Sequence, residues 1–305
     1  MTESWLVPQR FASSAPSLYS GEAESAPYFP VGTKGSLGTP HCWAVVVSRR
    51  RGDVGLVVEF RHHQMTSERR KMEHAHASAR ITDLLSAGLP PVALTFTDGP
   101  PDGVTVSTDA VPSSCNFWRV AEKGVFYASA EQHFNCPVGA MVMGFELPEA
   151  TGEQLGGLVQ SMCDARYLDP DEAANIPSVG KKNAGIVYGP LAEFPVEPDL
   201  ILLWLTPAQA MIYNEAAGNA KWTASPMDVS GRPGCAALPL ALKSQTPRMA
   251  LGCIGMRTFT DIADDRILAV LPGGKAEEFV AALETTVAAN AEMKKFYETA
   301  KASFV

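Results

Sequence analysis

The sequence predicts an α/β or α+β protein, with a mixed sheet and flanking helices in one compact domain after an N-terminal extension. Three observations predict it. Short apolar runs of buried-strand type, such as Ile186-Val187-Tyr188 and Leu200 to Leu205, are interspersed with segments of helical spacing. Hydrophobic residues make up 46% and charged residues 19% of a 305-residue chain, enough to bury a sizeable core. The first 71 residues carry 9 Lys/Arg against 6 Asp/Glu, whereas residues 72–305 carry 16 against 27.

The elements follow in order. Residues up to about Pro40 are rich in Ser, Pro and Gly. The runs His41–Ser48 and Val54–Phe60 suit a hairpin across Arg51-Gly52-Asp53. Residues 1–71 read either as a basic arm for an anionic partner or as a poorly ordered extension, and Met65 and Met72 are both plausible starts. From residue 72 onward the chain reads as the domain proper. Ile81, Leu84, Leu85 and Leu89 give a helix over 74–88, stopped by Pro90-Pro91. Val92 to Phe96 is a strand, closed by the turn Asp98 to Gly103. A helix starts near Cys115 and runs to Glu122, Phe126-Tyr127-Ala128 is a short strand, and another helix starts at Cys136-Pro137. Residues 152–165 form a helix with Leu155, Leu158 and Met162 on one face. After the strands around Val187 and Leu202, Thr206-Pro207 opens a helix that Gly218 ends. Tyr188-Gly189-Pro190 reads as a turn at the sheet edge. Met249 to Leu251 and Ile267 to Leu271 are strands, and Gly274–Ala302 is the last helix, with Phe279, Leu283 and Val287 inward.

Composition narrows the function. A formal net charge of −8 disfavours nucleic acid and anionic membranes as partners. No apolar run approaches the roughly 20 residues that span a bilayer, and no secretory signal is visible, so a cytoplasmic protein is expected. There is no G-x-G-x-x-G after a strand, no P-loop, no H-E-x-x-H, no G-x-S-x-G and no C-x-x-C. His74 and His76 are two apart on a helix and face different ways, so they make no metal pair.

The cysteines carry the remaining signal. Of six, Cys42 lies in the extension and Cys163 sits mid-helix as a small buried hydrophobe. Cys115, Cys136, Cys235 and Cys253 all stand at element ends beside small residues. A helix start stabilises a thiolate through free N–H groups and the dipole, and thiolate is the form that ligates metal or attacks an electrophile. These residues fit an iron–sulfur cluster or a tetrahedral zinc site. The same argument fits a lone Cys136 nucleophile with His133 as base or orienter. Arg232 and Arg257 lie near cysteines and could bind a carboxylate or phosphate of a small-molecule ligand, or form salt bridges.

At these positions the chain resembles a known family. The stretches Leu89-Pro90-Pro91-Val92-Ala93, Cys115-Asn116-Phe117-Trp118 and His133 to Gly139 carry the likeness. So do Gly144-Phe145-Glu146, Tyr188-Gly189-Pro190-Leu191 with Phe194-Pro195 and Pro198-Asp199, and Pro207 to Met211. Ser230-Gly231-Arg232 with Cys235, and Leu251-Gly252-Cys253 with Gly255 and Arg257, complete it. Together they resemble the DUF169 family of bacterial and archaeal proteins of unknown function, over roughly residues 75–285. The resemblance implies no established reaction, and it includes the four element-end cysteines but neither Cys42 nor Cys163. The expected functions are therefore a thiolate-bound cluster or metal with redox or Lewis-acid chemistry on a small molecule, a Cys136 enzyme, or a non-catalytic binding module walled by Phe117, Trp118 and Tyr188.

Overall fold

The computed structural model describes the strands β1 (Trp43–Ser48) and β2 (Val57–His62), residues 67–218 and residues 229–304. β1 and β2 pair antiparallel, Trp43 opposite His62 and Ser48 opposite Val57, as the two apolar runs predict. The rest of the expected extension up to residue 66 lies outside the described residues. Its final residues belong to a helix: α1 (Ser67–Leu85) begins seven residues before the expected start at 74. There Arg70 reaches the Pro195 carbonyl and Glu197.

A seven-stranded mixed sheet organises the body. Its order is β4 (Phe126–Ser129), β5 (Gly185–Pro190), β3 (Val92–Thr97), β6 (Leu200–Leu205), β9 (Ile267–Pro272), β8 (Arg248–Ala250) and β7 (Val229–Ser230). All neighbours are antiparallel except β7 and β8. Every residue of β5 and β6 is buried, because helices cover both sheet faces and neither face tolerates polar side chains. Alternate strand residues serve the two sides. Ala93, Val187, Ile201 and Leu203 pack with α1, α6 (Pro207–Ala217) and α9 (Ala276–Ala302). Leu94, Tyr188, Leu202 and Trp204 pack with α2 (Asn116–Val120), α3 (Pro137–Val142), α7 (Ala237–Ser244) and α8 (Ile254–Thr260).

Two expectations are corrected. Tyr188-Gly189-Pro190 is no edge turn but part of β5, hydrogen-bonded to β3 on one side, with Tyr188 also opposite Phe126 of β4. The glycine and proline signal was overridden by the requirement for a buried strand between two partners. The helix expected over 152–165 forms as α4 (Glu149–Asp164), but none of its residues is buried. Leu155, Leu158 and Met162 do not face the core.

α4 belongs to an excursion between α3 and β5 that also holds α5 (Pro170–Ala173). Its two ends are tied together at the base. Val179 donates to the Val142 carbonyl at 2.9 Å, and Ser178 Oγ to that of Met141 at 2.8 Å. Asn183 bonds the Met143 and Lys181 carbonyls, and Lys182 pairs with Glu146. No helix among the described residues is long and apolar enough to cross a membrane.

Candidate functional site

The four element-end cysteines come from four separate segments, and all four line one cavity of about 280 Å³. Each is delivered by a helix start. Cys115 precedes α2, Cys136 precedes α3 with Pro137 at the first helical position, and Cys253 precedes α8. Cys235 sits in the tight turn Gly234–Ala236 that feeds α7. Close backbone approach makes the convergence possible. A Cβ on Gly139 would stand 2.8 Å from Ser114 Oγ and 3.1 Å from Cys136 Sγ, so only glycine lets these three groups meet. A Cβ on Gly234 would stand 2.8 Å from Met256 Sδ and 3.0 Å from Gly252 Cα, so glycine also brings the Cys235 turn against the Cys253 loop.

Each sulfur has a polar neighbour. Backbone N–H groups of Gly139 and Ser114 lie close enough to the Cys136 sulfur to favour its thiolate. Met256 N–H donates to Cys253 Sγ at 3.3 Å. Cys115 Sγ lies 2.9 Å from Ser113 Oγ, and the Cys235 sulfur meets its own N–H. Helix starts alone predict lowered thiol pKa values, and here the direction is reversed. Burial pushes the Cys115 thiol up to about 12, with the Ser113 hydroxyl opposing and Cys136 and Cys253 adding. Burial also raises Cys136, and it raises Cys235 well above the ordinary thiol range. The cause is desolvation of a prospective negative charge, which outweighs the few N–H donors. The sulfurs also raise one another, as grouped like charges must. Among the described residues, no group of three or more His, Cys, Asp or Glu side chains is preset to hold a metal ion.

His133 lies apart from this chemistry. It is fully buried, Nδ1 lies 2.7 Å from the Ser129 carbonyl, and Nε2 lies 3.0 Å from the Tyr188 hydroxyl. The rings of Phe117 and Phe145 pack on it at 4.9 and 4.6 Å. Burial pushes its pKa down to about 4 against the pull of the Ser129 carbonyl. With both ring nitrogens engaged, it is not placed as a base for Cys136, and the two residues share only the backbone bond from Cys136 N–H to the His133 carbonyl. Phe117, Trp118 and Tyr188 are core residues beneath the cavity rather than its walls.

The two arginines separate. Arg257 spends its guanidinium on the backbone carbonyls of Leu251, Arg266 and Asp264, so it clamps the loops beside Cys253. Arg232 lines the cavity and lies over the Tyr167 ring at 4.1 Å. Cys163 is half-buried on α4 and lines nothing here, and Cys42 lies outside the described residues.

Sequence reasoning missed the outer wall. Leu158, Val159 and Met162 of α4, with Tyr167, Leu168 and Ile176 beyond it, close the cavity opposite the sulfurs. Tyr167 fastens this cover twice, through its ring to Arg232 and through its hydroxyl, which accepts from Ile254 N–H at 3.4 Å. The i, i+4 pair Leu158 and Met162 was legible as an apolar stripe, but nothing local distinguishes a stripe facing a cavity from one facing a core. Ser114 Oγ was missed too; it is buried in the cavity wall with no hydrogen-bond partner.

These cysteines fall within a recognised family pattern. A family model described as "Uncharacterised ArCR", DUF169, matches residues 80–282, two thirds of the chain. The chain belongs to the DUF169 family. The chain is also similar to an uncharacterised protein of Methanocaldococcus jannaschii, 29% identical over 172 residues, covering 53% of this chain and 71% of that protein. No solved structure matches the chain. The DUF169 match begins inside α1 and ends inside α9, so it takes in the whole seven-stranded sheet and all four cavity cysteines.

Proposed function

We propose that this DUF169 protein holds an iron–sulfur cluster through Cys115, Cys136, Cys235 and Cys253, for electron transfer with a small molecule in the same cavity. One observation carries the reading: four cysteines from four distant segments line a single cavity, each at a helix or turn start. Buried cysteines used only for packing have no reason to gather in this way, and they do not need backbone N–H groups aimed at sulfur. A cluster is favoured over zinc. Tetrahedral zinc needs four sulfurs about 2.3 Å from one point. No such set is preformed among the described residues, whereas a polynuclear cluster occupies the space between sulfurs spread around a cavity. A lone Cys136 nucleophile has no comparable support, because burial raises its thiol pKa and His133 is bonded elsewhere.

The test is anaerobic purification followed by iron and acid-labile sulfide analysis and visible absorption. The expected result is a brown protein that loses iron when any of the four cysteines becomes serine. Cys163→Ser should keep its iron. A folded chain that stays colourless and iron-free, even after incubation with iron and sulfide, overturns the proposal.

A further inference from the structure

We infer that the cavity wall opposite the sulfurs binds a small organic acid, its carboxylate on Arg232 and its hydrocarbon body against the α4 cover. This deepens the reading above, since it names the molecule that would meet the cysteine wall, but the binding itself needs no metal.

Three observations converge on that class of ligand. The first is size and polarity. The cavity measures about 280 Å³, close to the roughly 300 Å³ lower bound of small-ligand sites. Its outer wall is hydrocarbon from Leu158, Val159, Met162, Leu168 and Ile176, which suits an apolar body and repays little to a sugar or a nucleotide.

The second is charge. Among the described residues, Arg232 is the one charged residue lining the cavity, and no Asp or Glu lines it. Among the described residues no carboxylate pairs with Arg232. Its recorded partner is the face of Tyr167 at 4.1 Å. Stacking occupies the flat face of a guanidinium and leaves its edge N–H groups for two parallel bonds, the geometry that matches a carboxylate. A single arginine balances a single negative charge.

The third is an orphaned polar group. Ser114 is a cavity-lining residue, 2% exposed, and its Oγ has no hydrogen-bond partner. Burying a hydroxyl unsatisfied is unfavourable, so Ser114 has a hydrogen bond to offer a ligand that reaches it. Ser114 lies beside Cys136, at the sulfur end.

Calorimetric titration of the purified full chain with hexanoate, hexanol and hexylamine tests the inference, with iron content and absorption read on the same samples. Hexanoate should bind more tightly than hexanol, and hexylamine should not bind. Arg232→Gln should weaken hexanoate by about tenfold or more while leaving hexanol unchanged, as expected for loss of a charge-assisted pair. Leu158→Trp, which fills the outer wall away from the sulfurs, should abolish both. The inference falls if wild-type protein does not bind hexanoate, if Arg232→Gln binds it as well as wild type, if hexylamine binds equally, or if Leu158→Trp changes nothing. Iron without hexanoate binding would overturn this inference alone. Arg232-dependent hexanoate binding by a chain that cannot be loaded with iron would overturn the cluster and leave the acid site standing.

Discussion

At His133, burial lowers the imidazole pKa from 6.5 to about 4. The unfolded chain therefore takes up a proton near pH 6.5 that the folded chain refuses until near 4. The stability this residue supplies is present above pH 6.5 and is lost as the pH falls towards 4. The full shift corresponds to about 3 kcal/mol. His133→Gln should flatten the acid limb of a plot of urea midpoint against pH, and an unchanged limb would show that the imidazole is not its source. Gly139 sets a second limit at this scale. Its missing Cβ is where Ser114 Oγ and Cys136 Sγ approach, at 2.8 and 3.1 Å. Gly139→Ala should cost about 1–3 kcal/mol through overpacking and should lower iron content together with stability. Cys163 has no such neighbourhood, which is why its substitution serves as the control.

At the scale of elements, α4 is held only weakly by packing. It buries no residue, and Gly152, Gly156 and Gly157 meet nothing within 4 Å of an added Cβ. Three glycines in a helix interior with no packing reason each cost about 0.5–1 kcal/mol relative to alanine. The cover is then set by its tied base and by Tyr167. Tyr167→Ala removes the ring under Arg232 and the acceptor of Ile254 N–H, so metal-free protein should alkylate its cavity cysteines faster, with little change in melting temperature. Gly156→Ala should act the other way, stabilising the helix and slowing alkylation. Mass spectrometry of iodoacetamide-treated protein reads both, and equal rates across the three proteins would mean that the cover does not limit access. The short helices α2, α3 and α8 differ from α4 in origin. They exist because their apolar residues enter the core, as Phe117, Ala140 and Met256 do, and α8 is also capped by Cys253, which accepts from Met256 N–H.

Across the whole molecule, the cysteine cavity links folding to protons and, in the proposed function, to metal. The Cys115 thiol rises from 9.0 to about 12 on folding, and Cys136 and Cys235 rise with it. An acid with a raised folded pKa supplies stability that is intact below its unfolded value and is lost as the pH climbs through the folded one. Metal-free protein should therefore weaken above pH 9.0, and Cys115→Ala should reduce that loss. Ligation needs thiolates, so cluster or metal uptake should release protons and tighten as pH rises, which an unbuffered titration with a pH electrode would detect. Much of this molecule was legible in its residues. Apolar runs and capping signals placed β3, β5, β6, α6 and α9, because local periodicity reports which side of an element meets a core. Thr206 and Gln209 form the reciprocal cap that the Thr-Pro start implied. The four cysteines worth testing were separated from the other two by their small neighbours, since close backbone approach requires such residues. Tertiary structure alone decided that the four line one cavity, that burial raises the pKa values of Cys115, Cys136 and Cys235, and that His133 turns away from Cys136 to Tyr188. It also decided that the apolar stripe of α4 covers a chamber and not the core. The physical reason is common to all four: desolvation and convergence depend on neighbours distant in the chain, and no local spacing encodes which neighbours those are.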